Sequence, residues 1–219
     1  MQYMNFYKDI SCAIFDLDGT LVQSISAWRE VDVNFMKRRN LPIPDDFYDR
    51  VSTLNFSQAA DYVIAECGVT DPKEVVMNEW LEELRYDYAN VIEMVAGAKE
   101  FITKLHQNGV RIALATASRP ELFKPCLERH GVLGLFDVFV TTDEVKRKKG
   151  FPDVYLLAAE KAGADPATCA VFEDIYLGCV GAKAADMYTV GVLEEHSSED
   201  WDKMREICDL IIEDYTKLI

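Results

Sequence analysis

The chain has 219 residues, and its 38 acidic against 23 basic side chains give a formal net charge of −15. With 49% apolar residues it can fill the interior of one large domain, or of a core that carries an insertion. The negative charge disfavours nucleic-acid and membrane partners, because the phosphates of both repel an acidic surface.

Short apolar runs that favour β-structure recur along the chain and alternate with helical stretches. Strands are predicted at residues 10–15, 110–115, 138–140, 169–172 and 187–192. Helices are predicted at about 98–106, from a capping box at Ser118–Glu121 to about His130, at about 153–161 with a stop at Gly163, and at about 177–185. This alternation predicts an α/β fold with a doubly wound parallel sheet, as in Rossmann-like proteins.

The region that follows the first strand has a different pattern. It contains no convincing β run, and apolar residues such as Val31, Phe35, Trp80 and Leu84 stand at helical spacing. We therefore predict that residues 1–20 and 93–219 form the α/β core and that residues 21–92 form an inserted helical cap. Because the cap enters directly after the first strand, we expect it to act as a lid, with the polar segment Val51–Ser57 lining the site.

Polar residues follow three of the predicted strands, at the sheet edge where ligands bind in such folds. They are the segments Asp16–Thr20, Thr116–Ser118 and Glu173–Asp174. Four carboxylates that meet at one edge would repel each other unless a cation neutralised them, and hard oxygen ligands favour Mg²⁺.

A carboxylate next to Mg²⁺ can also act as a nucleophile, and Asp16 lies nearest the strand end. Asp18, two residues later, can serve as general acid and base. Thr116 and the free backbone N–H groups at the helix start by Ser118 would form an anion site. The basic run Lys146–Lys149 can supply the positive charge that phosphoryl transfer needs.

The segment Asp16–Val22 resembles the first motif of the haloacid dehalogenase superfamily, in its phosphatase and phosphomutase branch with a helical cap. Thr116 matches the second motif, Lys149 the third when the register is anchored on Pro152-Asp153, and Glu173-Asp174 the fourth. The resemblance covers nearly the whole chain. The family usually has Gly-Lys-Pro where this chain has Lys148-Lys149-Gly150.

The resemblance implies a role for each matching residue. Asp16 would form the phosphoenzyme, Asp18 would be the acid and base, and Thr116 and Lys149 would hold the phosphoryl group. Asp174 would bind Mg²⁺ together with Asp16 and the backbone carbonyl of Asp18, with Glu173 close to the metal. We further expect Ala117, Ser118 and Arg119 to contact the substrate phosphate.

Four functions remain open at this point, and one of them, a catalytically silent binding protein, is disfavoured because every expected catalytic position is occupied. The leading one is a Mg²⁺-dependent phosphatase that acts on a small phosphorylated metabolite. A sugar phosphomutase shares the same core, but Trp28 stands about where mutases of this branch carry a histidine. A signalling phosphoacceptor is disfavoured by the helical insertion, which suits the covering of a substrate.

Other expectations concern the surroundings of the protein. The longest uncharged stretches are ten residues, against roughly 20 for a membrane span, and the N-terminus has no secretory pattern, so we expect a cytoplasmic protein. We expect a monomer, since no apolar surface stripe is recognisable.

The six cysteines stand at no CxxC spacing and are interpreted as reduced packing residues. The three histidines are interpreted as surface residues.

Overall fold

A single parallel sheet organises residues 5–219, the part of the chain that the computed structural model describes. Six strands run in the order β3-β2-β1-β4-β5-β6 within this range. Their bounds are β1 Cys12–Phe15, β2 Arg111–Thr116, β3 Val138–Thr141, β4 Cys169–Glu173, β5 Tyr188–Val192 and β6 Leu210–Ile212. The predicted doubly wound parallel sheet is confirmed. Strand β6 was not predicted, because three residues are too few to carry a periodic signal.

Both faces of the sheet are buried, which explains why its strands are continuous apolar runs. Along β1, Cys12 and Ile14 pack in one apolar cluster, while Ala13 and Phe15 pack in the other. In register, Ala13 pairs with Ile112 of β2 on one side and with Ala170 of β4 on the other.

The helices fall into two groups along the chain. Those of the insertion are α1 Ile25–Arg38, α2 Phe47–Val51, α3 Phe56–Glu66 and α4 Lys73–Asn90. Those that cover the sheet are α5 Ala98–Gln107, α6 Pro120–Arg129, α7 Asp153–Ala162, α8 Tyr176–Ala184 and α9 Trp201–Ile207. None of these helices is both long and apolar enough to cross a bilayer.

The insertion is helical, as predicted, and its ends are tied to each other. The N–H of Gln23 donates to the carbonyl of Glu93 at 2.9 Å, and the N–H of Val95 donates to the carbonyl of Leu21 at 2.9 Å. One apolar cluster runs without a break from the sheet into the insertion. The division into a core of 1–20 and 93–219 and a cap of 21–92 stays a prediction.

The capping box predicted at Ser118–Glu121 was wrong. Helix α6 has Arg119 at its N-cap and no side-chain cap hydrogen bond. Ser118 lies one residue too early to cap, and its Oγ is buried with no hydrogen-bond partner among the residues described. Glu121 pairs instead with the Arg119 guanidinium at 2.9 Å.

The strand order places a crevice between β1 and β4. From β1 the chain winds outward to β2 and β3, and then returns past β1 to start β4 on the other side. At such a reversal the loops that follow the two central strands diverge, which leaves room for a ligand beyond their carboxyl ends. The residues that follow β1 and β4 are therefore placed to contact a ligand.

The aromatic interior under the sheet generates the first prediction. Phe101 of α5 is fully buried, with its ring centroid 5.8 Å from that of Phe6 and 5.5 Å from those of Phe172 and Tyr215. We expect Phe101→Ala to lower the free energy of unfolding in urea by about 3–5 kcal/mol, because it removes a buried ring and leaves a cavity. Leu156→Ala on α7, where the side chain is 39% exposed, should change it by less than about 1 kcal/mol. Equal losses in the two variants would contradict this packing.

Candidate active site

The carboxyl ends of β1 and β4 bring together buried acids and one buried lysine. Asp16 directly follows β1, Glu173 is the last residue of β4, and Asp174 comes next. The Nζ of Lys149 lies 2.6 Å from Asp16 Oδ1 and 2.6 Å from Glu173 Oε1. The structure thus brings together residues as far apart in the sequence as Asp16 and Asp174.

Lys149 differs from the rest of the basic run in being buried. Its side chain is 4% exposed, whereas Lys146, Arg147 and Lys148 are exposed and Arg147 pairs with Asp153 at 2.6 Å. Burial alone would lower the pKa of Lys149, but the carboxylates of Asp16 and Glu173 raise it above its usual value. The ammonium therefore stays charged at neutral pH.

Glu173 is oriented by groups on α7 and α8. Tyr155 Oη donates to Glu173 Oε1 at 2.7 Å, the same oxygen that accepts from Lys149. Gly178 leaves room for this carboxylate, since a Cβ there would lie 2.4 Å from the Glu173 carboxyl carbon. Burial raises the pKa of Glu173 to about 7, against the opposing charge of Lys149. Glu173 therefore acts as a support that holds Lys149 beside Asp16.

Three of these acids have the geometry of a cation site. Asp16, Glu173 and Asp174 each offer a carboxylate oxygen, and the three atoms lie within 4.8 Å of one another. Thr20 Oγ1 donates to Asp174 Oδ1 at 3.1 Å. Burial, with the charges of Asp16 and Glu173, raises the pKa of Asp174 well above its usual value. Glu173 Oε2 is buried without a hydrogen-bond partner among the described residues. Buried oxygen donors of this kind fit a hard divalent cation, which would relieve their mutual repulsion.

Asp18 lies beside the cluster of acids but is not part of it. Its Oδ1 accepts a hydrogen bond from Ser24 Oγ at 2.6 Å and another from Tyr88 Oη of α4. The Tyr88 hydroxyl in turn accepts from Trp28 Nε1 at 2.7 Å. Burial raises the pKa of Asp18 to about 6, with a further contribution from Asp16, while the two hydroxyl donors oppose the rise. The insertion thus holds the carboxylate that the sequence assigns to acid and base work.

Only part of the expected phosphate-binding segment, residues 116–119, lines the cleft beside the acids. Ala117 and Ser118 line the cleft, and Thr116 is fully buried just behind them. The Ser118 N–H, expected to be free, donates to Thr116 Oγ1 at 2.9 Å, because the turn folds back on the end of β2. Arg119 does not line the cleft; its guanidinium pairs with Glu121 and lies 5.6 Å from the ring of Phe56.

A cleft of about 700 Å³ separates the acids from the insertion. The segment predicted to line it does so through Val51–Leu54 and Phe56. His196, interpreted above as a surface residue, lines the cleft four residues after β5, and its Nδ1 lies 2.8 Å from Glu194 Oε1. Its position after an apolar strand was the available signal.

Sequence reasoning also missed several polar residues around the site. Tyr88 and Ser24 hold Asp18, Tyr155 holds Glu173, and Arg29 and Asp32 of α1 line the cleft. Helical periodicity marks such residues as ordinary members of a helix, and their roles depend on which neighbours the fold supplies. No signal in the sequence alone distinguishes them.

The sequence is similar to a known family and to proteins of known activity. A family model described as haloacid dehalogenase-like hydrolase matches residues 10–186. The chain is 29% identical to validoxylamine A 7'-phosphate phosphatase of Streptomyces hygroscopicus subsp. limoneus, over 94% of each chain. It is 26% identical to hexitol phosphatase B of Escherichia coli strain K12, over 90% of each chain.

A solved structure has the same fold at lower identity. The crystal structure of CbbY from Rhodobacter sphaeroides in complex with phosphate superposes with a TM-score of 0.82 at 20% identity, covering 95% of this chain and 96% of that one. At that identity the match bears on the fold alone.

A glycine beside the acids generates the second prediction. Gly19 has φ +81°, and a Cβ there would lie 2.3 Å from Asp174 Oδ2. We expect Gly19→Ala to displace that carboxylate and to raise the dissociation constant for Mg²⁺, measured by calorimetric titration, by at least about 10-fold. Gly109→Ala is the matched control, because Gly109 has φ +80° and a Cβ there meets nothing within 4 Å. Equal weakening in both variants would point to backbone strain and contradict the prediction.

The contact between Tyr88 and Asp18 generates the third prediction. Tyr88→Phe leaves the Asp18 carboxylate and the Trp28 N–H short of a buried partner, so the free energy of unfolding should fall by about 1–3 kcal/mol. Tyr86→Phe on the same helix, where the side chain is 68% exposed, should leave it within about 0.5 kcal/mol. Urea unfolding of both variants measures the difference, and a Tyr88→Phe variant as stable as the parent would count against the hydrogen bond.

Proposed function

Because the chain belongs to the haloacid dehalogenase-like hydrolases, we propose that it is a Mg²⁺-dependent phosphatase with an aspartyl-phosphate intermediate. Its substrate is a small phosphorylated metabolite, a sugar phosphate or a similar phosphomonoester. The observation that carries the proposal is the buried Asp16 carboxylate at the strand-order reversal, with Lys149 at 2.6 Å and Asp174 in reach of a shared cation. Two relatives that cover nearly the whole chain are named as phosphatases, of validoxylamine A 7'-phosphate and of hexitol phosphates.

The first half of the reaction transfers the phosphoryl group to Asp16. A carboxylate oxygen of Asp16 attacks phosphorus, a new O–P bond forms, and the bond from phosphorus to the leaving oxygen breaks. Asp18 gives that oxygen a proton as it departs. Lys149 and Thr116 bind the equatorial phosphoryl oxygens, where negative charge collects.

The second half returns the enzyme to its starting state. Asp18, now a carboxylate, takes a proton from a water molecule that attacks phosphorus, so that the O–P bond to Asp16 breaks and inorganic phosphate leaves. Asp16 and Asp174 would hold Mg²⁺ together with the Asp18 carbonyl, with Glu173 nearby, and the bound metal would supply positive charge to the phosphoryl oxygens. Ala117 and Ser118 complete the phosphate end of the cleft, whereas Arg119, which pairs with Glu121, has no contact with the phosphate in this arrangement.

Hydrolysis is favoured over mutase chemistry by the groups that face Asp18. The Trp28 N–H, at about the position where mutases of this branch have a histidine, donates to Tyr88 and offers no base to a sugar hydroxyl. A phosphoacceptor role is disfavoured by the cleft of about 700 Å³, a volume typical of small-molecule sites. The cytoplasmic location, the monomeric state and the absence of nucleic-acid or membrane partners stay predictions.

The fourth prediction tests the nucleophile. Release of inorganic phosphate from phenyl phosphate and from a panel of sugar phosphates should require Mg²⁺ and stop when the metal is chelated. Asp16→Asn should lower kcat by at least about 1,000-fold, because an amide cannot form the phosphoenzyme. Asp186→Asn is the matched control: Asp186 is exposed, and asparagine tolerates its φ of +55°.

Two results would overturn the proposed function. Turnover that persists at the parent rate in Asp16→Asn would exclude Asp16 as the nucleophile. Isomerisation of a hexose phosphate without phosphate release would assign the mutase reaction instead.

A further inference from the structure

One face of α1 and helix α2 contribute charged and polar residues to the lining of the cleft. Arg29 and Asp32 stand three residues apart on α1, so their side chains share one face of the helix, and both line the cleft. Tyr48 of α2 lies beside them. The reaction proposed above gives these residues no role, although they are charged or polar and face the space where the leaving group must sit.

Arg29 is held in place and keeps hydrogen-bonding capacity. Its guanidinium carbon lies 4.3 Å from the centroid of the Tyr48 ring, and its Nη2 donates to the carbonyl oxygen of His196 at 3.3 Å. Its Nε is buried and has no hydrogen-bond partner among the described residues. A buried donor without a partner costs free energy, which an oxygen atom of a ligand would recover.

Asp32 is the complementary group. No side-chain hydrogen bond or ion pair of the described residues involves its carboxylate, and the only charge that acts on it appreciably is that of Arg29. Burial raises the pKa of Asp32 to about 7, more than the guanidinium lowers it. The carboxyl group is therefore short of partners, and hydroxyl groups of a ligand would satisfy it as donors or acceptors.

The acidic side chains that line the cleft with Arg29 disfavour binding of a second phosphate there. Asp49, Glu199 and Asp200 line the cleft together with Asp32, and Lys203 pairs with Asp200 at 2.6 Å. Arg29 thus faces a surplus of carboxylates. A dianion placed here would be repelled, whereas neutral hydroxyl groups would not.

The remaining walls suit a carbon chain that carries hydroxyl groups. Four aromatic side chains also line the cleft: Trp28, Phe47, Phe56 and Trp80. Apolar faces of this kind pack against the C–H groups of a sugar or polyol, while the few polar groups fix its orientation.

We propose that Arg29 and Asp32 form the specificity subsite for the leaving group and select the monophosphate of an uncharged polyhydroxylated compound over bisphosphates and aryl phosphates. This inference rests on the proposed phosphatase function. The phosphoryl group lies at Asp16 and Lys149, and the hydroxyl groups at the far end of the substrate bind the Arg29 guanidinium and the Asp32 carboxyl.

The test compares three probes in the presence of Mg²⁺: a hexitol monophosphate, a hexose bisphosphate and phenyl phosphate. We expect the hexitol monophosphate to have the highest kcat/KM. Asp32→Ala and Arg29→Ala should each lower its kcat/KM by about 10–100-fold, the loss expected for a hydrogen bond to a charged group. Both variants should leave the kcat/KM of phenyl phosphate, which has no hydroxyl groups, within about 3-fold. Glu30→Ala, which changes an exposed carboxylate of the same helix, should alter neither.

A binding measurement separates selection from turnover. Titration of the hexitol monophosphate into Asp16→Asn should give a dissociation constant that rises about 10–100-fold on adding Asp32→Ala, with the melting temperature confirming that each variant is folded. Absence of phosphate release from all three probes would overturn the phosphatase function and the subsite with it.

Phosphate release from the probes without the expected selectivity has a different meaning. A bisphosphate preferred over the monophosphate, or equal losses for phenyl phosphate and the hexitol monophosphate in Asp32→Ala and Arg29→Ala, would overturn the subsite alone. The phosphatase function would then stand.

Discussion

The site depends on one buried cation, the ammonium of Lys149, held 2.6 Å from a carboxylate oxygen on each of two neighbouring strand ends. Without it, Asp16, Glu173 and Asp174 would be packed at short range with no internal positive charge. One lysine does not neutralise three acids, so the cluster has the charge and the oxygen donors to hold the divalent cation that we propose. In the proposed reaction Lys149 and that cation would bind the phosphoryl group, whose negative charge the carboxylates alone would repel.

The insertion contacts Asp18 and also lines the cleft. Tyr88 of α4 bonds to Asp18, and Ser24, at the start of the insertion, bonds to the same oxygen. The segments that enter and leave the insertion are hydrogen-bonded to each other. In the proposed reaction, the acid and base is therefore held by the same helical insertion whose helix α1 carries Arg29 and Asp32.

Much of the core was predictable because buried parallel strands have a strong local signal. The runs at Cys12–Phe15 and Cys169–Glu173 are apolar on both faces, and the acids that end them follow from the rule that ligands bind at carboxyl ends. Ser118 shows the limit of local rules. Its spacing to Glu121 fits a capping box, but the Ser118 N–H donates to the Thr116 hydroxyl and the Glu121 carboxylate pairs with the Arg119 guanidinium. Three-residue β6 fell below the length at which a pattern can be recognised.

The sequence by itself determined the doubly wound class, the helical insertion and the position of Asp16, Asp18, Thr116 and the acidic pair at or after strand ends, because each depends on residues close together in the chain. Only the tertiary structure decided which lysine of the basic run is buried, that Tyr155 supports Glu173, and that Tyr88 reaches Asp18 across 70 residues. It also decided that His196, Arg29 and Asp32 share one cleft. These facts depend on how distant elements pack, and burial and pairing across such distances leave no periodic pattern in the chain.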